Sequence, residues 1–381
     1  MKVLHAYNRH RGGGGADNVW DLTIGLSRER GLDVRVFSRD SRDLPNSLGG
    51  KIRAFSSGIY ARDSVREFER LLHEFKPDLV HAHELYPLIS HWILPLCKDA
   101  GIPVVYYCYD YRLTCPVATH FTNSQICRKC PDKGEHWAIL KNCRNNLAES
   151  FAYGLRSAIT RKFNLVLDNV DHFIVPSEFS RNWLMTEVGI DPSRITNVPC
   201  AVPLPETAVD PAKGTYIAFA GRFSEEKGVD LLIKAARQLN LPLKLAGFHT
   251  DHPAIQAGDD TECVMPGTPA ELADFYRGAR IVVAPSIWCE TFGLVAAEAM
   301  SHGIPVVATR VGALQDTVDD EVTGLLFNLG NVIDLSEKLS RLWDDPLLCR
   351  RFGEAAREKV RAQFSLDEHF NQTMRAYQSV L

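Results

Sequence analysis

The sequence lacks a hydrophobic run long enough to cross a bilayer, which takes about 20 apolar residues. The longest candidate, residues 88–97, is interrupted by Ser90, His91 and Pro95. It also lacks a surplus of positive charge, because 43 Lys and Arg stand against 47 Asp and Glu for a net charge of −4. Without a basic field a protein has no general attraction for nucleic acid. These absences argue against a membrane-spanning protein and against a nucleic-acid-binding protein.

The N-terminus lacks the long apolar core of a signal peptide, because arginines and a run of glycines follow residues 3–7 at once. We therefore expect a cytoplasmic protein, in which ten cysteines do not form a disulfide framework. Many arginines between Arg28 and Arg70 lie on amphipathic stretches. This pattern is open to two interpretations, peripheral contact with the inner membrane face or an ordinary solvated surface.

What the sequence does have is a regular alternation of short apolar runs and amphipathic stretches over 381 residues. Continuous apolar runs are typical of parallel strands buried on both faces. Strands are predicted at 3–7, 34–37, 52–55, 79–82, 104–107 and 173–175, and again at 216–220, 243–246, 263–265, 281–284, 306–308 and 325–327. Helices are predicted between them, for example at 63–75, 229–239 and 294–301.

A proline-rich stretch at 197–213 has no apolar period and is interpreted as a linker. The alternation on both sides of it predicts an α/β protein of two βαβ domains. We place the domains at 1–200 and 201–365, followed by a helix at 366–381 that packs on either of them. Ligands of open α/β sheets bind outside the carboxyl ends of the strands, so residues just after strands are the informative ones.

The first such segment is the run of four glycines from Gly12 to Gly15, directly after the first predicted strand. Glycines allow close backbone approach, and Asp17 or Asn18 can cap the following helix, whose N-terminus offers free N–H groups. A phosphate or sugar cradle and a flexible turn both remain open. The glycine spacing is a poor match to a dinucleotide fingerprint, which disfavours a dehydrogenase.

The second segment is GRFSEEKG at 221–228, after the first strand of the second domain. Arg222 offers a planar fork for phosphate oxygens, and Lys227 adds a point charge. Together with a helix N-terminus they could form a diphosphate clamp. A solvated loop with an Arg–Glu pair is the alternative.

The third segment is PSIWCETFGLVAAEAM at 285–300. Glu290 lies in the predicted loop and Glu298 more than one turn into the helix, so both can line one elongated ligand. The N–H groups of Phe292, Gly293 and Leu294 point out of the helix start. Glu290 is expected to accept sugar hydroxyl hydrogens. Alternatively, neither residue binds a ligand: Glu290 is a first-turn acid stabilised by the helix dipole, and Glu298 is an exposed surface residue.

Four cysteines, Cys115, Cys127, Cys130 and Cys143, lie in a predicted insertion at about 108–146. Their C-x11-C-x2-C-x12-C spacing includes one chelating pair, and four thiolates can close a tetrahedral structural zinc site. Free thiols and disulfides are the alternatives, disulfides being the least suited to a cytosolic chain.

These motifs together resemble the retaining GT-B glycosyltransferases of family 4. The segment Glu290-Thr-Phe-Gly-Leu-Val…Glu298 is similar to the E-x7-E signature of that family, and Gly221-Arg222…Lys227-Gly228 to its diphosphate loop. The segment 77–83, which ends at His83, is similar to its fourth-strand segment. The resemblance implies two Rossmann-like domains facing a central cleft and a hexosyltransferase that uses a UDP- or GDP-sugar.

The resemblance also implies roles for the residues. The diphosphate would be held by Arg222 and Lys227, the ribose by Glu298, and the donor sugar by Glu290 with the amides of 292–294. The glycine loop, with Gly14 and Gly15, would close over the phosphates. No metal would be required for transfer, since Arg and Lys stabilise the leaving group, and any zinc would be structural.

The chain departs from the family pattern after the predicted strand 104–107. Tyr109 stands where many relatives have a His that touches the donor sugar, and Asp110 follows it. A tyrosine can still donate a hydrogen bond. We assign Tyr109 to the catalytic group and place Asp110 and His83 on the acceptor side, although a packed His83 is the alternative.

The function that these observations predict is hexose transfer to a glycan or lipid-linked acceptor, in cell-surface polysaccharide or glycolipid biosynthesis. The two-domain cleft also suits a nucleotide-sugar epimerase or phosphorylase. The Tyr109 departure keeps a third candidate open, a catalytically weak scaffold that binds sugar nucleotides.

Overall fold

The computed structural model describes residues 1–11, 14–247 and 261–381. The described chain divides into two compact units. The first comprises Met1–Thr122, Cys127–Val198 and His369–Leu381, and the second comprises Asn123–Ile126 and Pro199–Glu368. The chain therefore passes between the units at the start of the proline-rich stretch.

The strands of the first part of the chain are short and mostly buried. They are β1 (Lys2–Arg9), β2 (Asp33–Asp40), β3 (Leu79–Ala82), β4 (Val104–Tyr107), β5 (Phe121–Thr122), β6 (Gln125–Ile126), β7 (His172–Val175) and β8 (Ile195–Asn197). Six of them form a parallel sheet in the order β2-β1-β3-β4-β7-β8, and β5 pairs with β6. Every residue of β3, β4 and β7 is buried, as continuous apolar runs predict for central parallel strands.

The connections between these strands are mainly helical. The helices are α1 (Gly15–Glu29), α2 (Leu48–Ile59), α3 (Arg62–Phe75), α4 (Ile93–Asp99), α5 (Lys129–Lys133), α6 (His136–Leu140), α7 (Leu147–Lys162) and α8 (Glu178–Trp183). Helix α3 is the clearest example of a helix that its sequence pattern explains. Its apolar residues recur at helical spacing and are all buried: Val65, Phe68, Leu72 and Phe75.

The second unit repeats the architecture. Its strands are β9 (Tyr216–Ala220), β10 (Leu243–Ala246), β11 (Thr261–Val264), β12 (Ala279–Ala284), β13 (Val306–Thr309) and β14 (Gly324–Phe327). They form a parallel sheet in the order β11-β10-β9-β12-β13-β14. Its helices are α9 (Val229–Leu239), α10 (Pro269–Arg277), α11 (Leu294–Ser301), α12 (Leu314–Thr317), α13 (Val332–Asp344) and α14 (Pro346–Gln363). Both sheets therefore confirm the predicted pair of Rossmann-like α/β folds.

The last helix, α15 (Leu366–Gln378), contributes its C-terminal part to the first unit. Tyr377 is fully buried there and packs with Val3 and Leu79. Its hydroxyl lies 2.7 Å from Nδ1 of His81, a residue of β3. None of the described helices combines the length and the apolar character that crossing a bilayer requires.

One strand prediction was wrong, and three strands, β5, β6 and β8, were missed. Residues 52–55 belong to α2, where Ser47 caps the helix by accepting the N–H of Gly50 at 3.3 Å. The apolar Ile52, Phe55 and Ile59 follow helical spacing of three and four residues, not the strand period of two. Strand β8 was missed because it is only three residues long and two of them are polar.

Candidate functional site

In the second unit, the loops after β9 and β12 hold the Lys227 ammonium beside the Glu290 carboxylate. Nζ of Lys227 lies 2.6 Å from Oε1 of Glu290. Ser286 donates its hydroxyl hydrogen to the same oxygen at 2.6 Å. The ammonium lies 5.5 Å from the centre of the Trp288 ring. Lys227 and Glu290 are thus fixed by several contacts and only partly exposed, with side-chain exposures of 21% and 12%.

The electrostatics keep Glu290 ionised. Burial alone would raise the pKa of its carboxyl. The Lys227 charge and the hydrogen bonds from Lys227 and Ser286 outweigh burial and lower the pKa below its usual value. Glu290 is therefore a carboxylate at neutral pH and can accept hydrogens from hydroxyl groups.

A close approach of two backbone segments positions Lys227. Gly228 has a φ of +67°, and a Cβ at this position would collide with the Pro285 carbonyl oxygen. Two residues further along the β12 loop, the Ile287 N–H donates to the Glu226 carbonyl at 2.9 Å. Only glycine fits at position 228, and its absence of a side chain lets the two loops touch.

A second close approach positions Glu290. Gly312 has a φ of +56°, and a Cβ there would lie 2.7 Å from both the nitrogen and the oxygen of Glu290. The N–H of Ala313 donates to the Glu290 carbonyl at 2.9 Å. The loop after β13 therefore holds the Glu290 backbone in place, independently of the ion pair that the Glu290 side chain forms with Lys227.

Directly after Glu290 the chain enters α11. Gly293 precedes the helix with a φ of +92°. Phe292 is buried, its ring centre lies 5.1 Å from that of Phe364, and its carbonyl accepts the Thr317 hydroxyl. The first N–H groups of a helix, which begin here at Leu294, have no intrahelical acceptor and lie at its positive end. This arrangement suits a polar or anionic ligand beside Glu290.

Glu298 lies further along α11 in a different environment. The Tyr276 hydroxyl donates to its Oε2 at 3.2 Å. Burial raises the pKa of the Glu298 carboxyl to about 7 despite this hydrogen bond. Glu298 thus exists in both protonation states near neutral pH and can accept or donate a hydrogen bond to hydroxyl groups.

The structure does not place Arg222 with the Lys227–Glu290 pair. Its side chain is 65% exposed, and Nη2 lies 3.5 Å from Oε1 of Glu226. The Arg–Glu pair that the sequence left open as an alternative is therefore present. Its guanidinium is nonetheless accessible to a ligand.

In the first unit, Tyr109 joins a row of buried histidines. Its hydroxyl lies 2.8 Å from Nδ1 of His83, whose Nε2 lies 3.1 Å from Nδ1 of His5. His5 and His83 are fully buried. Burial, with a smaller contribution from Arg28, lowers the pKa of His5 to about 3, so this imidazole is neutral. His83 is a packed residue that supports the Tyr109 hydroxyl, and contact of either residue with substrate stays a prediction.

Asp110 belongs to a charged network beside Tyr109. Nη2 of Arg112 lies 3.1 Å from its Oδ2, and Nε of Arg112 lies 2.8 Å from Oε2 of the buried Glu84. Burial raises the pKa of Asp110, although the nearby Arg112 charge opposes this shift. For Glu84, the attraction of Arg112 and His10 outweighs burial, so its pKa is lowered. The acceptor-side role of Asp110 stays a prediction.

Of the glycine run, Gly14 and Gly15 are among the described residues, whereas Gly12 and Gly13 lie outside them. Gly14 occupies the N-cap position of α1 with a φ of +142° and no side-chain cap. The expected cap from Asp17 or Asn18 is wrong, because both residues lie within α1 and Asp17 accepts the Tyr7 hydroxyl at 2.5 Å. The contact of Gly14 and Gly15 with phosphates stays a prediction.

Sequence reasoning missed several groups that complete these arrangements. Tyr276 is a buried residue in an amphipathic helix, and nothing in its neighbourhood in the sequence signals a carboxylate partner. His5 could have been found, because it is a polar residue in a predicted buried strand and pairs in register with His81 of β3. The supporting roles of Ser286 and Gly312 become visible only in three dimensions.

Comparison with known proteins identifies the family. The model of Glycosyltransferase Family 4 matches residues 12–205, just over half of the chain. The chain belongs to glycosyltransferase family 4. The family model Glycosyl transferases group 1 matches residues 206–359, so the two models together extend through both units. The predicted resemblance to family 4 is confirmed.

The curated relatives in family 4 include D-inositol 3-phosphate glycosyltransferases. The Gordonia bronchialis enzyme is 25% identical over 94% of this chain and 82% of its own length. The Kribbella flavida enzyme is 32% identical over 56% of this chain and 58% of its own length. The chain spans about half the length of several other curated relatives that it matches.

Solved structures establish the fold. Sucrose-phosphate synthase from Thermosynechococcus elongatus matches with a TM-score of 0.73 and 19% identity, covering 100% of this chain and 99% of the other. Anabaena HepE in complex with UDP and glucose matches with a TM-score of 0.67 and 16% identity, covering 100% of both chains. The predicted GT-B fold of family 4 is thus confirmed.

Proposed function

We propose that this chain transfers a hexose from a UDP- or GDP-sugar to a glycan or lipid-linked acceptor, with retention of anomeric configuration. The observation that carries the proposal is the Lys227–Glu290 ion pair beside the start of α11. A cation that can bind a diphosphate and a carboxylate that can bind sugar hydroxyls lie side by side there. We place the reaction in cell-surface polysaccharide or glycolipid biosynthesis.

The donor would be recognised by charge and by hydroxyl contacts. Lys227 and the accessible Arg222 would bind the diphosphate, and Glu290 with the α11 amides would bind the sugar. Glu298 would bind the ribose hydroxyls. Two facts support a nucleotide-sugar donor: family membership, and the UDP and glucose that the structural neighbour HepE contains.

The chemistry matches these groups. Cleavage of the bond between the anomeric carbon and the diphosphate oxygen leaves a positive centre on the sugar and a negative charge on the leaving group. Fixed positive charge near the diphosphate stabilises that leaving group, and losing one such contact typically costs about 10²–10³ in rate. In the proposed reaction the departing phosphate accepts the acceptor's proton and attack occurs on the same face. No protein nucleophile and no metal are then needed for transfer.

Binding measurements test the donor site. Isothermal titration of the chain with UDP and GDP is expected to show binding of at least one of them. Lys227→Ala is expected to weaken that binding strongly, because its ammonium provides the diphosphate contact. Lys213→Ala is a matched control, since Lys213 is exposed and forms a separate surface ion pair with Asp210. Unchanged affinity in Lys227→Ala would exclude the clamp.

Turnover measurements test the reaction. Incubation with UDP- or GDP-hexoses and acceptor extracts is expected to release nucleoside diphosphate only when acceptor is present. Nuclear magnetic resonance of the product is expected to show the donor's anomeric configuration. Nucleotide release and a changed sugar without acceptor would indicate an epimerase. Tight binding without turnover on any extract would indicate the scaffold that Tyr109 first suggested.

A further inference from the structure

We propose that Cys115, Cys127, Cys130 and Cys143 bind one divalent metal ion of the zinc class in a tetrahedral, structural site. The site lies within the first unit and is independent of the proposed transfer reaction. On binding, each thiol would lose its proton to solvent and its sulfur would bond the metal, so that four thiolates close the coordination sphere.

The first support is convergence. The four cysteines come from different places in the chain: the loop after β4, the end of the β5–β6 hairpin, α5 and the turn after α6. All four nevertheless line one small cavity. None is in a disulfide, so the cavity presents four separate sulfur atoms. Unrelated free cysteines from four segments are not expected to line the same cavity.

The second support is the surroundings of the sulfur atoms. The backbone N–H of His120 donates to the Cys115 sulfur at 3.4 Å. Thr122 lines the same cavity as the four cysteines. An N–H group directed at a sulfur can equally donate to the thiolate, the form that binds metal. Such hydrogen bonds around ligating atoms orient the ligands of metal sites.

The third support is the backbone of the cysteine segment, residues 108–146. Its regular elements are very short, because β5 and β6 have two residues each and α5 and α6 five each. Six of its non-glycine residues have positive φ: Ala118, His120, Asn123, Ser124, Asn142 and Asn145. A segment with little regular structure and many costly backbone conformations needs a cross-link, which a metal ion supplies.

A rival cluster lies in the sheet of the first unit. Among the described residues, His5, His81 and His83 are the group of three whose ligand atoms already lie within 4.8 Å of one another. No three of the cysteine sulfurs lie that close together, so ion binding would draw them inward. One of these three imidazoles, that of His83, is already fully engaged. The rings of His81 and His83 stack with centres 4.0 Å apart, and both nitrogens of His83 already have partners in His5 and Tyr109.

Elemental analysis of the full chain tests the proposal. Protein purified without chelators or a histidine tag is expected to contain one zinc ion per chain. Cys127→Ser/Cys130→Ser is expected to lose it, whereas Cys263→Ser, which changes a cysteine of β11 in the second unit, is expected to keep it. Zinc that persists in the double variant would overturn the proposal and indicate the histidine cluster. Wild-type protein without metal, or with a disulfide among these cysteines, would overturn it as well.

Two further measurements remain informative if the double variant does not fold. Cobalt substituted into the wild-type chain is expected to show the visible bands of tetrahedral thiolate coordination, and bands of octahedral oxygen and nitrogen coordination would contradict the proposal. Thr122→Val, which removes a hydroxyl group from the lining of the cavity and no ligand, is expected to release zinc to a chelator about 10–100 times more readily. Release at the wild-type rate would exclude this ligand environment.

Discussion

The Lys227 ammonium lies 2.6 Å from the Glu290 carboxylate, so each charge neutralises the other within the second unit. A diphosphate that binds Lys227 must compete with this carboxylate. The Ser286 hydroxyl and the Ala313 amide hold Glu290 in place independently of Lys227. Glu290 therefore keeps its position when Lys227 turns to a ligand, and it can then bind sugar hydroxyls.

This relationship predicts the effect of Glu290→Gln. The substitution removes no group assigned to the diphosphate and relieves the competition for Lys227, so affinity for a nucleoside diphosphate is expected to stay at least nearly intact. Transfer is expected to fall by at least about 10²–10³, because the sugar loses a charged contact. Titration with UDP and GDP and a transfer assay measure the two effects. Glu262→Gln, which breaks a surface pair with Lys244, is the control. Parallel loss of binding and transfer in Glu290→Gln would contradict the assigned role.

The raised pKa of the Glu298 carboxyl predicts that the stability of the protein depends on pH. Burial raises its pKa from 4.5 to about 7, so the folded chain favours the protonated form. The resulting penalty on folding is absent below about pH 4.5, grows between pH 4.5 and 7, and is complete above pH 7. Glu298→Gln removes it and is expected to stabilise the protein at pH 8 by up to about 3 kcal/mol, with little effect at pH 4.5. Denaturant titration at the two pH values measures this, and an equal effect at both would be the contrary result.

Alanine substitutions at Gly228 and Gly330 distinguish the energetic cost of backbone strain from the cost of a steric collision. Both have positive φ, +67° and +71°, but a Cβ at Gly228 would strike the Pro285 carbonyl, whereas a Cβ at Gly330 meets nothing within 4 Å. Gly330→Ala is expected to cost about 1 kcal/mol of unfolding free energy. Gly228→Ala is expected to cost about 3 kcal/mol or more, because overpacking adds to the strain. Similar costs for the two variants would show that the loops do not touch as described.

Tyr109→Phe removes the hydroxyl that bonds His83. The buried imidazole would lose a hydrogen-bond partner, at an expected cost of about 1–3 kcal/mol in unfolding free energy. If the hydroxyl also contacts substrate, transfer is expected to fall while nucleoside diphosphate affinity is unchanged. Tyr60→Phe, at a residue that is 47% exposed, is the control. Stability equal to wild type would mean that the His83 contact contributes nothing.

The fold was predictable because parallel strands and amphipathic helices carry strong local patterns. Strands at 79–82, 104–107 and 216–220 and the helix at 229–239 match the structure to the residue. The strand prediction at 52–55 was wrong because so short an apolar run fits both the period of a strand and that of a helix. Strand β8 was not predicted because its own residues carry no strand pattern. It is a strand because it pairs with β7.

The candidate site was predictable only as far as its residues lie close together in the sequence. The segments that contain Lys227 and Glu290 were identified, but the direct bond between these two residues was not, since it joins loops 63 residues apart. The pairing of Arg222 with Glu226 was left open, because side-chain orientation in a loop depends on its folded neighbours. The raised pKa of Glu298 follows from burial, which no local pattern encodes.

The distance along the chain between α15 and the first sheet has a consequence for synthesis. Tyr377, which bonds His81 and packs against Val3, is translated 296 residues after His81. Until then the part of that sheet that Tyr377 covers stays exposed, and exposed apolar surface of this kind favours aggregation. Removal of α15 would leave the same surface bare, so the damage would appear in a sheet whose first strand begins at Lys2.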